Sequence, residues 1–186
     1  DTRDSSFNPT KGGAFVFNQE LPLISTDNEI KNTIRMSKYK SLNQSENMIG
    51  KASLYLSAVN SLDGSDVRIS KRTRIPYNRM RGFEKGKIGP VDGGDYVGGN
   101  YSAAINLSTN LPGILPSFEN LDFSYFIDAG NVWGVDYDSS IDASKIRSAT
   151  GIALDFLTPI GPLRLDVASK DLSGDWRYTL GVGWKF

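Results

Sequence analysis

The chain has 186 residues, the size of one domain, with 21 basic and 21 acidic side chains and no formal net charge. That balance argues against a nucleic-acid partner, whose protein footprint is clearly basic. Cys and His are both absent, which removes thiol chemistry, His-based acid–base catalysis, Ser-His-Asp triads and zinc sites built on those ligands. No apolar run approaches the ~18 residues of a transmembrane helix, and no basic-then-apolar leader is read at the start. The first residue is Asp, and the chain is expected to be cut from something larger. A mean hydropathy of −0.32 resembles that of a water-soluble protein. A membrane β-barrel gives a similar average, because only alternate residues face lipid.

The pattern decides between them. The first predicted strand, about 12–22, is ambiguous, since Phe15 and Phe17 compete with Ala14 and Val16 for the apolar face. Over 29–42, Ile30, Ile34 and Met36 alternate with Lys31, Thr33, Arg35 and Ser37. Over 46–60, Ala52, Leu54, Leu56 and Ala58 alternate with Lys51, Ser53, Tyr55 and Ser57. Over 100–113, Tyr101, Ala103, Ile105 and Leu107 oppose Ser102, Ala104, Asn106 and Ser108. Over 121–134, Phe123, Tyr125 and Ile127 oppose Asp122, Ser124, Asp128 and Gly130, with Phe126 as the exception on the polar side. Over 146–159, Ile152, Leu154 and Phe156 oppose Arg147, Ala149, Gly151, Ala153 and Asp155. Over 161–169, Leu163, Leu165 and Val167 oppose Arg164, Asp166 and Ala168. The last segment, 176–186, alternates most strictly: Trp176, Tyr178, Leu180, Val182, Trp184 and Phe186 against Arg177, Thr179, Gly181, Gly183 and Lys185. Period-2 alternation is the signature of a strand with one apolar face.

These are eight strands and no helix. Their length, ~10 residues or more, exceeds the usual strand and matches a tilted membrane span. The connections after the second, fourth and sixth strands are short to moderate, and those after the third, fifth and seventh are mostly longer and more polar, as in outer-membrane barrels. A soluble β-sandwich also alternates. Strand length, rim aromatics and the recurrence of charge on one face of adjacent strands favour a barrel with a wet lumen.

Between the third and fourth strands lies a long loop, 61–98, read without regular secondary structure. Loops of this length are usually functional or disordered. Residues 64–99 carry eight cations against four anions, while the polar faces of the later strands carry Asp128, Asp155 and Asp166. Such a loop can fold into the lumen through Arg–carboxylate bonds, or remain a solvated loop with scattered charges. Asp92-Gly93-Gly94-Asp95 offers too few oxygens for calcium, and no metal or cofactor is expected.

Arg81-Gly82-Phe83, followed by Ile88-Gly89-Pro90 and Gly98-Gly99-Asn100, resembles the long loop of the BamA family of outer-membrane β-barrel assembly factors, the bacterial surface antigens. Residues 126–134 (FIDAGNVWG), 151–168 (GIALDFLTPIGPLRLDVA) and the closing strand resemble that family's final strands, and 7–13 (FNPTKGG) its Pro-Thr-x-Gly segment. The likeness is strong over about 71–186 and weaker before. It implies that Arg81 lies inside the barrel and meets acidic side chains of the wall, with Asp128 as partner. Asp155, Asp166 and Arg164 are further candidate lumen partners. In some relatives a second acidic partner follows the loop; the matching place here is read as Ser108, so that carboxylate is missing or comes from Asp155 or Asp166. Thr179, Gly181, Trp184 and Phe186 fit the family's terminal β-signal. With Gly183, they would form a weakly paired seam that opens sideways into the membrane.

The resemblance implies a sixteen-stranded barrel preceded by periplasmic POTRA domains. This chain would supply the C-terminal half and no POTRA domain. Eight strands enclose barely enough space for their own side chains, so a 38-residue loop needs a larger barrel or lies outside. The implied function is insertion of β-barrel proteins into the bacterial outer membrane, without covalent chemistry. Its partners would be membrane lipid, unfolded outer-membrane clients and accessory lipoproteins reached through the periplasmic domains. The alternatives are a related translocation or secretion factor of the same superfamily, TamA-like or a secretion pore, and a small self-contained structural barrel.

Overall fold

The computed structural model describes residues 1–6, 8–22, 28–114, 121–158 and 161–182. Eight strands form one antiparallel sheet in simple up-and-down order: β1 (Gly12–Glu20), β2 (Glu29–Ser41), β3 (Ile49–Ser61), β6 (Tyr101–Asn110), β7 (Leu121–Trp133), β8 (Arg147–Thr158), β9 (Gly161–Lys170) and β10 (Trp176–Val182). The remaining two, β4 (Val91–Asp92) and β5 (Asp95–Tyr96), make a small hairpin within the long loop. β2, β3 and β7 each run 13 residues, longer than the ~9–11 a tilted strand needs to cross hydrocarbon. Among the described residues β1 and β10 are the two edges, so the sheet is an open barrel wall rather than a closed ring.

Register sorts the side chains. Directly opposed residues share a face. Leu54 pairs with Met36 and Ile105, and Leu107 with Ile127. Leu154 pairs with Phe123 and Leu165, and Leu165 with Leu180. One face is therefore apolar from end to end, and it is uncovered: Ile105 is 47% exposed, Ile127 44% and Leu180 70%. The same register resolves the ambiguity of the first strand. Phe15 opposes Met36 and Phe17 opposes Ile34, which puts both Phe rings on the apolar face.

The other face carries small and polar residues and is the buried one. Ser53, Ser57, Ser102, Ala104, Asp128, Ala149, Ala153, Asp166 and Ala168 all lie there. Water-soluble proteins bury grease and expose charge; this sheet does the reverse, which is the arrangement a bilayer stabilises. Aromatics mark both ends of the apolar face. Tyr101 and Trp133 stack obliquely at 6.0 Å beside the long loop, and Tyr125 and Phe156 stand exposed toward the opposite rim, the placement of interfacial girdles. The expected antiparallel barrel architecture of eight strands is thus the one observed.

The long loop departs from the sequence reading. It contains a 3-10 turn, Tyr77–Arg79, as well as the β4–β5 hairpin. Thr73 also bridges Gly99 through paired backbone bonds of 2.8 and 3.2 Å. Periodicity reveals neither element, because each is only two or three residues long.

Candidate functional site

The loop lies on the buried face of the sheet. Ile75, Met80 and Ile88 from the loop pack with Tyr55 of β3, Ala104 of β6 and Val132 of β7, and Phe83 covers the edge of this cluster. Polar ties surround it. The Thr73 and Ser102 hydroxyls are 2.7 Å apart, and the Asn106 amide donates to the Arg79 carbonyl at 2.7 Å. Asp136, beyond β7, accepts from the Val67 N–H at 2.8 Å and from the Asn100 amide.

At the loop tip, Arg81 meets Asp128. Its Nε donates to Oδ2 at 2.7 Å, its Nη2 to Oδ1 at 2.6 Å and its backbone N–H to Oδ2 at 3.1 Å. Asn106 adds a fourth bond to Oδ1 at 2.8 Å. Asp128 is fully buried, and a buried carboxylate persists in ionised form only when such bonds replace its water. Phe126, two residues earlier on β7, explains its own exception to the alternation. It is fully buried beneath the tip with Ala153 and Ala168, and the Arg81 guanidinium stacks 3.4 Å from its ring centroid. Arg81 thus spends its planar face on an aromatic and its fork on a carboxylate, a combination Lys cannot reproduce.

Gly82 is required by both backbone and space. Its φ is +85°, and a Cβ there would stand 3.0 Å from Cβ of Ala168 on β9. This lets the tip approach the wall closely enough for Arg81 to reach Asp128. Phe83 continues the contact under the Arg147 guanidinium, 4.9 Å from its centroid, and Arg147 is held by Asp171 at 2.8 and 2.5 Å.

The sequence-predicted residues separate into groups. Arg81, Gly82, Phe83 and Asp128 come together. Arg164, Asp155 and Asp166 lie on the same face but bond one another: Arg164 Nη1 reaches Asp155 at 3.0 and 2.8 Å, and its Nε reaches Asp166 at 2.8 and 3.0 Å. The residue facing Asp128 across the strand pair is Asn106, whereas Ser108 faces Phe126. The Asn106 amide bonds Asp128 rather than the Arg81 side chain, and among the described residues the Arg81 bonds go to Asp128, with no second carboxylate. Thr179 and Gly181 lie in β10 opposite Asp166 and Arg164. Gly183, Trp184 and Phe186 lie outside the described residues. Sequence reasoning missed Asn106, Phe126 as a platform, and Glu84; only Phe126 carried a signal, its break in the alternation.

Glu84 links the tip to the last strand through Arg177 at 2.6 Å, and pairs with Lys87 at 2.6 Å. Hydrogen bonds from Lys87 and Arg177 hold its carboxyl down at about 2. A carboxylate depressed in this way contributes above its unfolded value, about 4.3, and loses that contribution as pH falls through the folded one. The loop–β10 tie is expected to persist from neutral pH to about pH 4 and to weaken from there toward pH 2. Spin labels at Lys85 and Thr179 would read it: a distance distribution constant down to about pH 4 and broader below, and broad throughout in Glu84→Gln.

An open antiparallel wall with grease outside and a charge-latched loop inside defines the class of outer-membrane β-barrels. A family model described as the Omp85 superfamily domain matches residues 1–186, and the chain belongs to that superfamily. An outer membrane protein assembly factor BamA from Neorickettsia risticii (strain Illinois) is 32% identical over 126 residues, 66% of this chain and 17% of that protein. A SAM50-like protein of Schizosaccharomyces pombe is 28% identical over 181 residues, 89% of this chain and 37% of that protein. The crystal structure of BamA from Haemophilus ducreyi lacking POTRA domains 1–3 matches with a TM-score of 0.79 at 24% identity, over 97% of this chain and 41% of that one. The chain therefore spans well under half the length of these relatives, and its place is the bacterial outer membrane.

Proposed function

We propose that this chain is the C-terminal half of a larger barrel that inserts β-barrel proteins into the outer membrane, and that the last strand is its exit seam. The observation that carries this reading is the edge at β10. β10 pairs with β9 over seven residues, from Trp176 opposite Ser169 to Val182 opposite Leu163, and no strand among the described residues covers its other side. In hydrocarbon, unpaired N–H and C=O groups are costly, so an edge strand either closes onto another strand or takes one from a client. Strand addition supplies the missing bonds without covalent chemistry. The loop motif Arg81-Gly82-Phe83 braces the wall behind this edge, and Glu84 ties it to Arg177 of β10. The named assembly function of the Neorickettsia relative supports the same reading. Clients would be unfolded outer-membrane proteins, with accessory lipoproteins docked through periplasmic domains outside this chain.

Gly181 supports a seam role rather than a packing one, since the nearest atom to a Cβ built there is the Arg164 carbonyl oxygen, 3.9 Å away. Replacing Gly181 and Gly183 with Val in the full-length protein is expected to leave the fold intact and stiffen the strand. Insertion of client barrels into proteoliposomes should fall about tenfold while the heat-modifiable folded band is retained. Insertion at the unmodified rate would remove the seam assignment and leave the barrel standing.

A further inference from the structure

The apolar face is not uniformly raised. Two cross-strand rows near the end of the short connections read Lys38–Ala52–Leu107–Ile127 and Lys40–Gly50–Thr109–Tyr125. The small residues fall on β3, with long side chains on either side. The result is a shallow depression of about 360 Å³ floored by Gly50 and Ala52, with Leu107 and Ile127 along one wall and Lys38 and Lys40 on the opposite rim. Leu42, after β2, folds over Gly50: a Cβ there would lie 3.0 Å from both of its methyls.

Its charge is one-sided. The lining includes Lys38, Lys40 and Lys51 and no carboxylate. Lys51 turns inward over the Tyr39 ring, at 5.4 Å. Lys38 and Lys40 are exposed on the lipid-facing side, and neither ammonium has an ion-pair or hydrogen-bond partner among the described residues. Short turns mark the periplasmic end of such barrels, so these cations stand at headgroup depth in the periplasmic leaflet. A lysine that only snorkels needs no groove beneath it; here an apolar trough of pocket size, at the lower end of the ~300–1,000 Å³ range, leads directly away from two unpaired cations.

We propose that this trough is a binding site for one anionic glycerophospholipid, its phosphate on Lys38 and Lys40 and an acyl chain over Ala52, between Leu42 and Leu107. The surface is complementary in both parts: two cations with no ion-pair partner among the described residues, and an apolar floor. A bound lipid fills a gap in the wall that ordinary annular lipid would pack poorly.

The test uses the full-length protein in phosphatidylcholine nanodiscs doped with either phosphatidylglycerol or phosphatidylcholine bearing a photoactivatable acyl chain, with cross-linked peptides identified by mass spectrometry. The phosphatidylglycerol probe should label the segments around Gly50 and Leu107 roughly tenfold more than the phosphatidylcholine probe. Lys38→Gln with Lys40→Gln should erase that preference. Ala52→Leu, which places its side chain into lipid and leaves the inner face untouched, should reduce labelling of these segments by both probes while labelling near Leu165 continues. Equal labelling by the two probes in the unmodified protein would overturn the proposal. So would a preference that survives the double Lys substitution, or labelling indifferent to Ala52→Leu.

Discussion

Arg81→Ala should unseat the loop. The substitution leaves Asp128 fully buried with its fork partner gone, and breaking one side of a buried ion pair costs about 3–5 kcal/mol because the remaining charge has no water to return to. The Asn106 amide and the backbone N–H of residue 81 would still bond the carboxylate, but neither carries a charge. Arg81→Lys should fall in between, since it keeps the charge but loses the second bond to Asp128 and the flat stacking on Phe126. Arg81→Ala combined with Asp128→Asn should recover part of the loss, because the stranded charge is removed with its partner. Limited trypsin digestion of the protein in liposomes would read this. The wild-type tip should resist cleavage at Arg79 and Lys85, the two sites all three proteins share, Arg81→Ala should be cut rapidly at both, and the double variant should be intermediate. Equal protection in all three would mean that the apolar contacts of Ile75, Met80 and Ile88 seat the loop unaided.

Phe126→Ala is expected to cost a similar amount through a different term. Phe126 is fully buried with Ala153 and Ala168, and Gly151 lies close against it: a Cβ at that glycine would stand 2.8 Å from Cζ of the ring. Neighbours this small cannot collapse into the space a ring leaves, and Phe→Ala in such sites costs about 3–5 kcal/mol. The Arg81 guanidinium loses its platform as well, so the effects of Phe126→Ala and Arg81→Ala should fall short of adding. Phe126→Leu should cost less, because most of the volume is kept. Urea titration of the heat-modifiable folded form in detergent would measure all three. Additive losses would separate ring and guanidinium into independent contributors.

Much of the wall was legible because period-2 alternation survives translation into structure unchanged. The strict alternation of β10 and of β8–β9 told which face met lipid before any register was known. β1 was not legible alone, since Phe15 and Val16 both look apolar, and the tie is broken only by pairing with Met36 and Arg35 of β2. Arg81 and Asp128 were legible through the family's motif. Asn106 was not, because an amide on a polar face carries no mark of its partner until register sets it opposite Asp128. The same holds for Arg164, whose two carboxylates lie on its own and the adjacent strand, a pairing that charge counting cannot distinguish from a contact to the loop.

The central claim is that the sheet has two faces, one in lipid and one under the loop. These 186 residues contain no Cys, so within them a single Cys substitution places each spin label. Labels at Ile105, Ile127, Leu154 and Leu165 of the reconstituted full-length protein should be open to oxygen dissolved in lipid and closed to a water-soluble nickel chelate. Labels at Ala104, Ala153 and Ala168 should be shielded from oxygen. If instead the first four positions were closed to both reagents, as inside two stacked sheets, the membrane assignment and the proposals built on it would be contradicted.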